Sequence, residues 1–120
     1  MKVGDYVRTK YEGGSIEKII KIYHKEENID LIERYATDIS IKYNLTINEE
    51  EIIKSSPNII DLIEVGDYVN GKKVIDKWEE PDWYGYFIKL EGEETVPTIR
   101  KIKSIVTKEQ FSQMEYRIGE

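Results

Sequence analysis

The pentapeptide Val3-Gly4-Asp5-Tyr6-Val7 recurs letter for letter as Val65-Gly66-Asp67-Tyr68-Val69 in a chain of 120 residues. Identity of this kind constrains the fold because both copies specify the same local event. Gly tolerates a bend or a positive φ, Asp favours a turn through side-chain-to-backbone hydrogen bonds, and Tyr-Val opens an extended segment. Each copy is expected to be a turn feeding the first strand of a small sheet. A fainter echo, Ile53-Lys54-Ser55 and Ile102-Lys103-Ser104, lies near the end of each half. The first half is the longer, so it carries extra material. The pattern predicts a mainly β protein of two tandem SH3-like small barrel units packed together, residues 1–63 and 64–120. Tyr6 and Tyr68 are then expected to be hidden in equivalent sheet surroundings.

Composition narrows the class. Ile, Val, Tyr and Thr suit a half-buried pleated surface, and Ala36 is the only alanine, so the strongest helix former is nearly missing. An AT-rich genome would give a similar abundance of Ile, Lys, Glu, Asn and Tyr. Cysteine is absent, which removes disulfides and thiolate metal sites and fits a reducing cytoplasm. The sequence shows no apolar run near the roughly 20 residues that span a bilayer and no secretory h-region after Met1, so a cytoplasmic location is expected. Net charge is −6. Phosphate-backbone binding wants a basic excess, and the densest basic stretch, Arg100-Lys101-Ile102-Lys103, is short. Nucleic acid is therefore not the expected partner.

Along the chain, Val3 to Lys10 and Ile16 to His24 read as strands, with Lys25 to Asn28 as a polar turn between Ile16–His24 and the next segment. Ile29 to Tyr35 fits a strand or a helix, and strand is favoured. Ile39, Ile41, Tyr43, Leu45 and Ile47 alternate without error, which predicts a strand with one buried and one wet face. Asn48 caps a helical turn at Glu49-Glu50-Glu51, and Pro57 stops the residues that follow. Asn58 to Glu64 is apolar enough to join the halves in an ordered way. Asn70-Gly71 signals a tight hairpin turn. Further turns are expected at Glu79 to Asp82 and Gly92 to Glu94, with extended chain over Trp83 to Leu90. One or two strands are expected over Thr95 to Val106, where Pro97 suggests an edge or bulge. Thr107 should cap a helical turn, and Glu115 to Ile118 should close the sheet.

The stretch from Lys54 through Ile59-Ile60-Asp61-Leu62-Ile63 to Gly71, and the stretch Ile102 to Phe111, resemble small proteins of bacteriophages and prophages in low-GC Gram-positive bacteria, clostridia especially. The resemblance implies a phage-borne accessory product of the kind that serves host takeover or defence evasion. It carries no activity and no catalytic residues. Residues 8 to 50 depart from it, so a specialised function would reside there.

The chemistry-bearing residues form no recognisable catalytic set. His24 is the only histidine and lacks a nucleophile or orienting acid in sequence. The acidic clusters Glu49-Glu50-Glu51, Glu79-Glu80 with Asp82, and Glu93-Glu94 have no metal-ligand spacing. Gly13-Gly14 lacks a phosphate-loop continuation, and Ser55-Ser56 lacks a nucleophile-elbow context. No enzymatic activity, cofactor or metal is expected. The leading candidate surface is aromatic: Trp78, Trp83, Tyr84 and Tyr86, with Phe87, backed by Arg100 and Lys101 on a neighbouring strand. Its competing reading is a core-filling cluster. The expected function is a non-enzymatic binding protein that occupies a host protein partner. The alternatives are sequestration of a small nucleotide-type signal by stacking and phosphate pairing, a virion or structural component, and an enzyme whose site is specific to its fold. Homo-oligomerisation is left open.

Overall fold

The computed structural model describes residues 1–10, 14–27, 30–80, 85–93 and 102–114. The chain is mainly β, built on two antiparallel sheets and one helix. The first sheet contains β1 (Tyr6–Thr9), β2 (Ile16–Glu27), β3 (Asp30–Thr37), β4 (Ile47–Asn48) and β5 (Ile52–Ser56), in the order β4-β3-β2-β1-β5. The second contains β6 (Tyr68–Val69), β7 (Lys72–Glu80), β8 (Gly85–Leu90) and β9 (Ile105–Val106), in the order β8-β7-β6-β9. Helix α1 (Lys108–Met114) follows. Neither sheet closes, so the expected SH3-like barrels are not observed among the described residues.

The repeated pentapeptide folds the same way twice. Gly4 and Gly66 have φ of 97° and 100°, the region that favours glycine. The Gly4 N–H donates to the Ile19 carbonyl and the Gly66 N–H to that of Val74. The Ile19 and Val74 N–H groups return bonds to the carbonyls of Asp5 and Asp67. Each Asp carboxylate accepts an N–H three residues back, from Lys2 at 2.9 Å and from Glu64 at 2.7 Å. The likeness runs on into the hairpins. Ile19 pairs with Thr37 and Val74 with Leu90, and each ladder shifts register at the next residue. Ile20 and Ile75 sit at those bulges, both exposed. β1 lies between β2 and β5 as β6 lies between β7 and β9.

The likeness has limits. Val7 is opposite Ser55 whereas Val69 is opposite Ile105, so the Ile-Lys-Ser echoes stand one position out of step. Tyr6 and Tyr68 are each half-buried rather than hidden. The Lys18 ammonium lies over the Tyr6 ring, while Tyr68 stacks on Phe111 at 4.3 Å. The shared feature is backbone geometry. The rings diverge because α1 covers one turn and not the other. Tyr6 pairs with Lys18, Tyr68 with Lys73, which places most of the first half's extra length between β1 and β2.

Two apolar clusters form the core. Val7, Ile19, Tyr35 and Ile47 pack together in the first sheet, and Val69, Val74, Ile88 and Leu90 pack with Ile60 and Ile63 in the second. The connecting segment Asn58 to Glu64 is ordered as expected. Its 3-10 turn, Ile59–Leu62, starts with the Asn58 side chain accepting from the Ile60 N–H. Burying Ile60, Leu62 and Ile63 contributes on the order of 1.5–3 kcal/mol for each side chain.

A buried ion network fastens the two sheets. Arg8 is 2% exposed and Asp67 is 0% exposed. The guanidinium grips the Asp67 carboxylate at 2.6 and 3.0 Å. It also reaches Glu64 at 2.9 Å, Glu109 at 2.8 Å and the Leu62 carbonyl at 3.0 Å. Burial disfavours the Arg8 charge, but the Asp67 hydrogen bond and the fields of Asp67, Glu64 and Glu109 outweigh it, so its pKa is raised. Asp67 additionally accepts the Lys108 N–H at 2.9 Å, which ties in α1. The repeated Asp is thus a local turn brace at position 5 and an inter-sheet anchor at position 67.

Other sequence expectations resolve individually. Ile29 to Tyr35 fits a strand or a helix with strand favoured, and the chain is a strand over Asp30–Thr37. The polar turn expected at Lys25 to Asn28 is largely displaced, since β2 pairs with β3 out to Glu27 opposite Asp30. Asn70 and Gly71 have φ of 52° and 80°, both positive as a type I′ hairpin turn requires. Thr107 caps α1: its hydroxyl accepts the Gln110 N–H at 3.1 Å while its own N–H donates to the Gln110 side chain at 3.0 Å. The expected closing strand Glu115 to Ile118 and most of the segment Thr95 to Val106 lie outside the described residues.

Candidate functional site

The cleanest alternation in the sequence, Ile39 to Ile47, is not a strand. It is a loop whose first part is a 3-10 turn, Ser40–Tyr43, ending in Asn44 with φ 55°. Only Ile47 joins a sheet, as part of the two-residue strand β4. Local hydrogen bonds explain the change. The Thr37 N–H donates to the Ser40 hydroxyl at 2.8 Å and the Ser40 N–H to the Thr37 hydroxyl at 2.9 Å. This reciprocal box turns the chain at the end of β3, an instance of side chains offering the backbone an alternative to a ladder. Asn44 then takes the left-handed conformation it tolerates better than most residues. Below the box, Glu17 is buried and accepts from the hydroxyls of Ser15 and Thr37, which holds Thr37 in place. The Asp38 carboxylate accepts the Lys18 N–H at 2.9 Å and fixes the loop's entry.

The consequence is an apolar surface. Side chains spaced by two hide on one face of a strand but spread around a helix of three residues per turn. Ile41 is 51% exposed, Tyr43 70% and Leu45 60%. Tyr43 and Leu45 border one cleft, and Ile41 is not among the residues that line it. The cleft, of about 550 Å³, is lined by Ile39, Tyr43, Leu45 and Ile47, with Ser40, Thr46 and Glu51 supplying polar atoms. Glu51, one of the lining residues, belongs to a 3-10 turn, Glu49–Glu51, in which the Asn48 side chain accepts the Glu51 N–H and the Glu51 carboxylate accepts the Asn48 N–H. The cap expected at Asn48 is therefore present, and it positions a carboxylate on the cleft.

Charge collects around this face. Tyr35 pairs across the strands with Ile47, and its hydroxyl donates to Glu33 at 2.8 Å. Burial, the Glu33 hydrogen bond and the fields of Glu33 and Glu49 push its pKa up to about 12. Glu51 lines the cleft, whereas Glu33, Glu49 and Glu50 line a separate recess with Ile32, Arg34 and Asn48. Lys42 extends from the 3-10 turn, and Arg34 is held by the Thr46 hydroxyl at 2.9 Å.

The aromatic surface expected from the sequence is only partly in view. Trp83, Tyr84, Arg100 and Lys101 lie outside the described residues. Trp78 and Phe87 are cross-strand partners on the β7–β8 ribbon, stacked at 6.2 Å and half-buried. They occupy the face opposite Val74, Ile88 and Leu90, so they are neither core nor fully open. Tyr86 is on the other face, where the Lys77 ammonium lies 4.5 Å from its ring centroid. Lys77 also donates to the Asp61 and Ile63 carbonyls at 3.0 and 2.7 Å, which joins the ribbon to the connecting segment. Burial and the neighbouring Lys54 lower its pKa. Beyond Lys73, β7 pairs with β8 alone. A two-stranded ribbon is marginal in water, and the Trp78–Phe87 stack supplies the cross-strand packing it needs.

Among the described residues there is no group of acidic or histidine side chains placed to hold a metal ion. His24 is exposed, with Nδ1 3.6 Å from Glu33. No helix among them is long and apolar enough to cross a membrane. Comparison with family models, with curated proteins and with solved structures gives no match. The site reading therefore rests on geometry. Sequence reasoning missed the loop because it weighed the alternation of Ile39 to Ile47 above the Thr37-x-x-Ser40 and Asn44 turn signals.

Proposed function

We propose that this chain is a non-enzymatic binding protein that works by occupying a protein partner, and that the Ile39 to Ile47 loop is the contact. One observation carries the reading: Tyr43 and Leu45 are exposed beside one cleft, on a loop whose entry the Thr37–Ser40 hydrogen bonds fix. A chain gains no stability from leaving Ile41, Tyr43 and Leu45 in water, whereas exposed aromatic and aliphatic anchors beside a cleft are what partner binding uses. The loop lies inside residues 8 to 50, the part that departs from the phage-protein resemblance. A phage or prophage accessory role, counter-defence included, in a host cytoplasm is the biological setting we infer from that resemblance. We also read the chain as two related units in tandem, 1–63 and 64–120. The twofold use of one turn, one bulged hairpin and one returning strand supports this.

Retention of a host protein on the immobilised chain tests the reading, with Tyr43→Ser/Leu45→Ser as the paired control. Both positions are exposed, so stability should change by no more than about 0.5 kcal/mol for each substitution. The expected result is a retained protein that the double variant loses. Equal retention by the two proteins, or none by either, removes the loop from the account. Nucleotide sequestration is the second reading. It draws support only from the stacked Trp78–Phe87 pair, and calorimetric titration with cyclic and linear nucleotides checks it.

A further inference from the structure

The chemistry around the loop specifies more than an apolar anchor. The cleft beside Tyr43 and Leu45 carries the Glu51 carboxylate in its wall. Glu33 and Glu49 stand beside Tyr35, the cross-strand partner of Ile47. Glu50 is exposed next to them. Against these four carboxylates stand two cations, Lys42 on the loop and Arg34, which shares a recess with Glu33, Glu49 and Glu50, so the face keeps a net negative charge. The whole chain is acidic as well, at −6.

We propose that the cleft takes a cationic, apolar-anchored polypeptide segment: one bulky apolar side chain seated between Tyr43, Leu45 and Ile47, and Lys or Arg side chains reaching Glu51 in the cleft and Glu33, Glu49 and Glu50 in the separate recess that starts at Asn48, the residue after Ile47. This rests on the reading of the loop as a protein-binding surface and names the partner's chemistry. Charge decides among occupants. A second copy docked symmetrically on this face would set one Glu49 to Glu51 turn against another, and like charges brought together in an interface repel. A nucleic acid or an anionic lipid surface meets the same repulsion. A basic segment instead gains complementarity, which raises association rate and selectivity more than raw affinity.

Selection from an unbiased random-peptide library against the intact protein tests this, with Tyr43→Ser/Leu45→Ser and Glu49→Gln/Glu50→Gln as parallel targets. The expected winners carry net positive charge and an aromatic or aliphatic anchor. Their affinity falls on the order of tenfold from low to high salt. It falls roughly threefold to tenfold in the Glu49→Gln/Glu50→Gln protein and is lost in the loop variant. Winners that need Tyr43 and Leu45 but are neutral or acidic, or bind independently of salt, overturn the charge assignment and leave the loop reading standing. Winners that ignore the loop variant, or a selection without enrichment, overturn both.

Discussion

Replacing Arg8 with Met should cost this protein about 3 kcal/mol. Met keeps the aliphatic stem and removes the guanidinium, so packing is nearly preserved and the effect is electrostatic. Breaking a buried ion pair from one side costs about 3–5 kcal/mol because the other charge stays behind. The structure places the value at the low end. Glu64 and Glu109 are each nearly half exposed and regain water when Arg8 leaves. Asp67 is fully buried, yet it keeps the Glu64 and Lys108 N–H donors. For a chain of this length, 3 kcal/mol corresponds to a fall in Tm of about 12 °C. Urea unfolding followed by tryptophan fluorescence measures the free energy. Arg8→Met/Asp67→Ala should lose at least about 1 kcal/mol less than the sum of the single losses, since the second change removes the stranded carboxylate. A loss under about 1 kcal/mol for Arg8→Met, or strict additivity, would refute the claim that this network fastens the sheets. Asp5→Ala is the internal control. Asp5 braces only its own turn through the Lys2 N–H, and one such bond is worth about 1 kcal/mol.

Three further outcomes follow from the geometry. Gly71→Ala should destabilise by about 1–2 kcal/mol; a Cβ there meets no atom within 4 Å, so the cost comes from the positive φ alone, and an unchanged urea midpoint would contradict this. Trp78→Ala should lower stability by about 0.5–1.5 kcal/mol through the lost cross-strand stack and speed hydrogen exchange in β7 and β8 while β1 to β5 stay protected. Tyr35, with its pKa raised from 10.0 to about 12, binds its proton more tightly folded than unfolded, so the stability it confers is complete below pH 10 and is lost as pH rises through 12; a spectrophotometric titration in which every tyrosine ionises near pH 10 in the folded state contradicts it.

Much of the scaffold is legible in the sequence. Gly4-Asp5 and Gly66-Asp67 encode their turn in their own side chains and backbone freedom, as do Asn70-Gly71 and the Thr107 cap. Such signals are local and survive context. The failures had two physical origins. At Ile39 to Ile47 a period-two pattern competed with the Thr37–Ser40 box, and hydrogen bonds made within four residues won over a burial pattern that needed a neighbouring strand. The ion network was invisible for the opposite reason. Arg8 and Asp67 are far apart in sequence, and no spacing rule joins them. In the aromatic stretch Trp78 and Phe87 clamp a ribbon and Tyr86 is exposed.

The connection near residue 63 thus cannot serve as a place to cut. A fragment ending there would leave Ile60 and Ile63 without their companions and Arg8 without its carboxylates. The remaining piece would carry Asp67 as an orphan charge inside an incomplete core. Complementary fragments should stay unstructured when made singly and regain structure only when mixed.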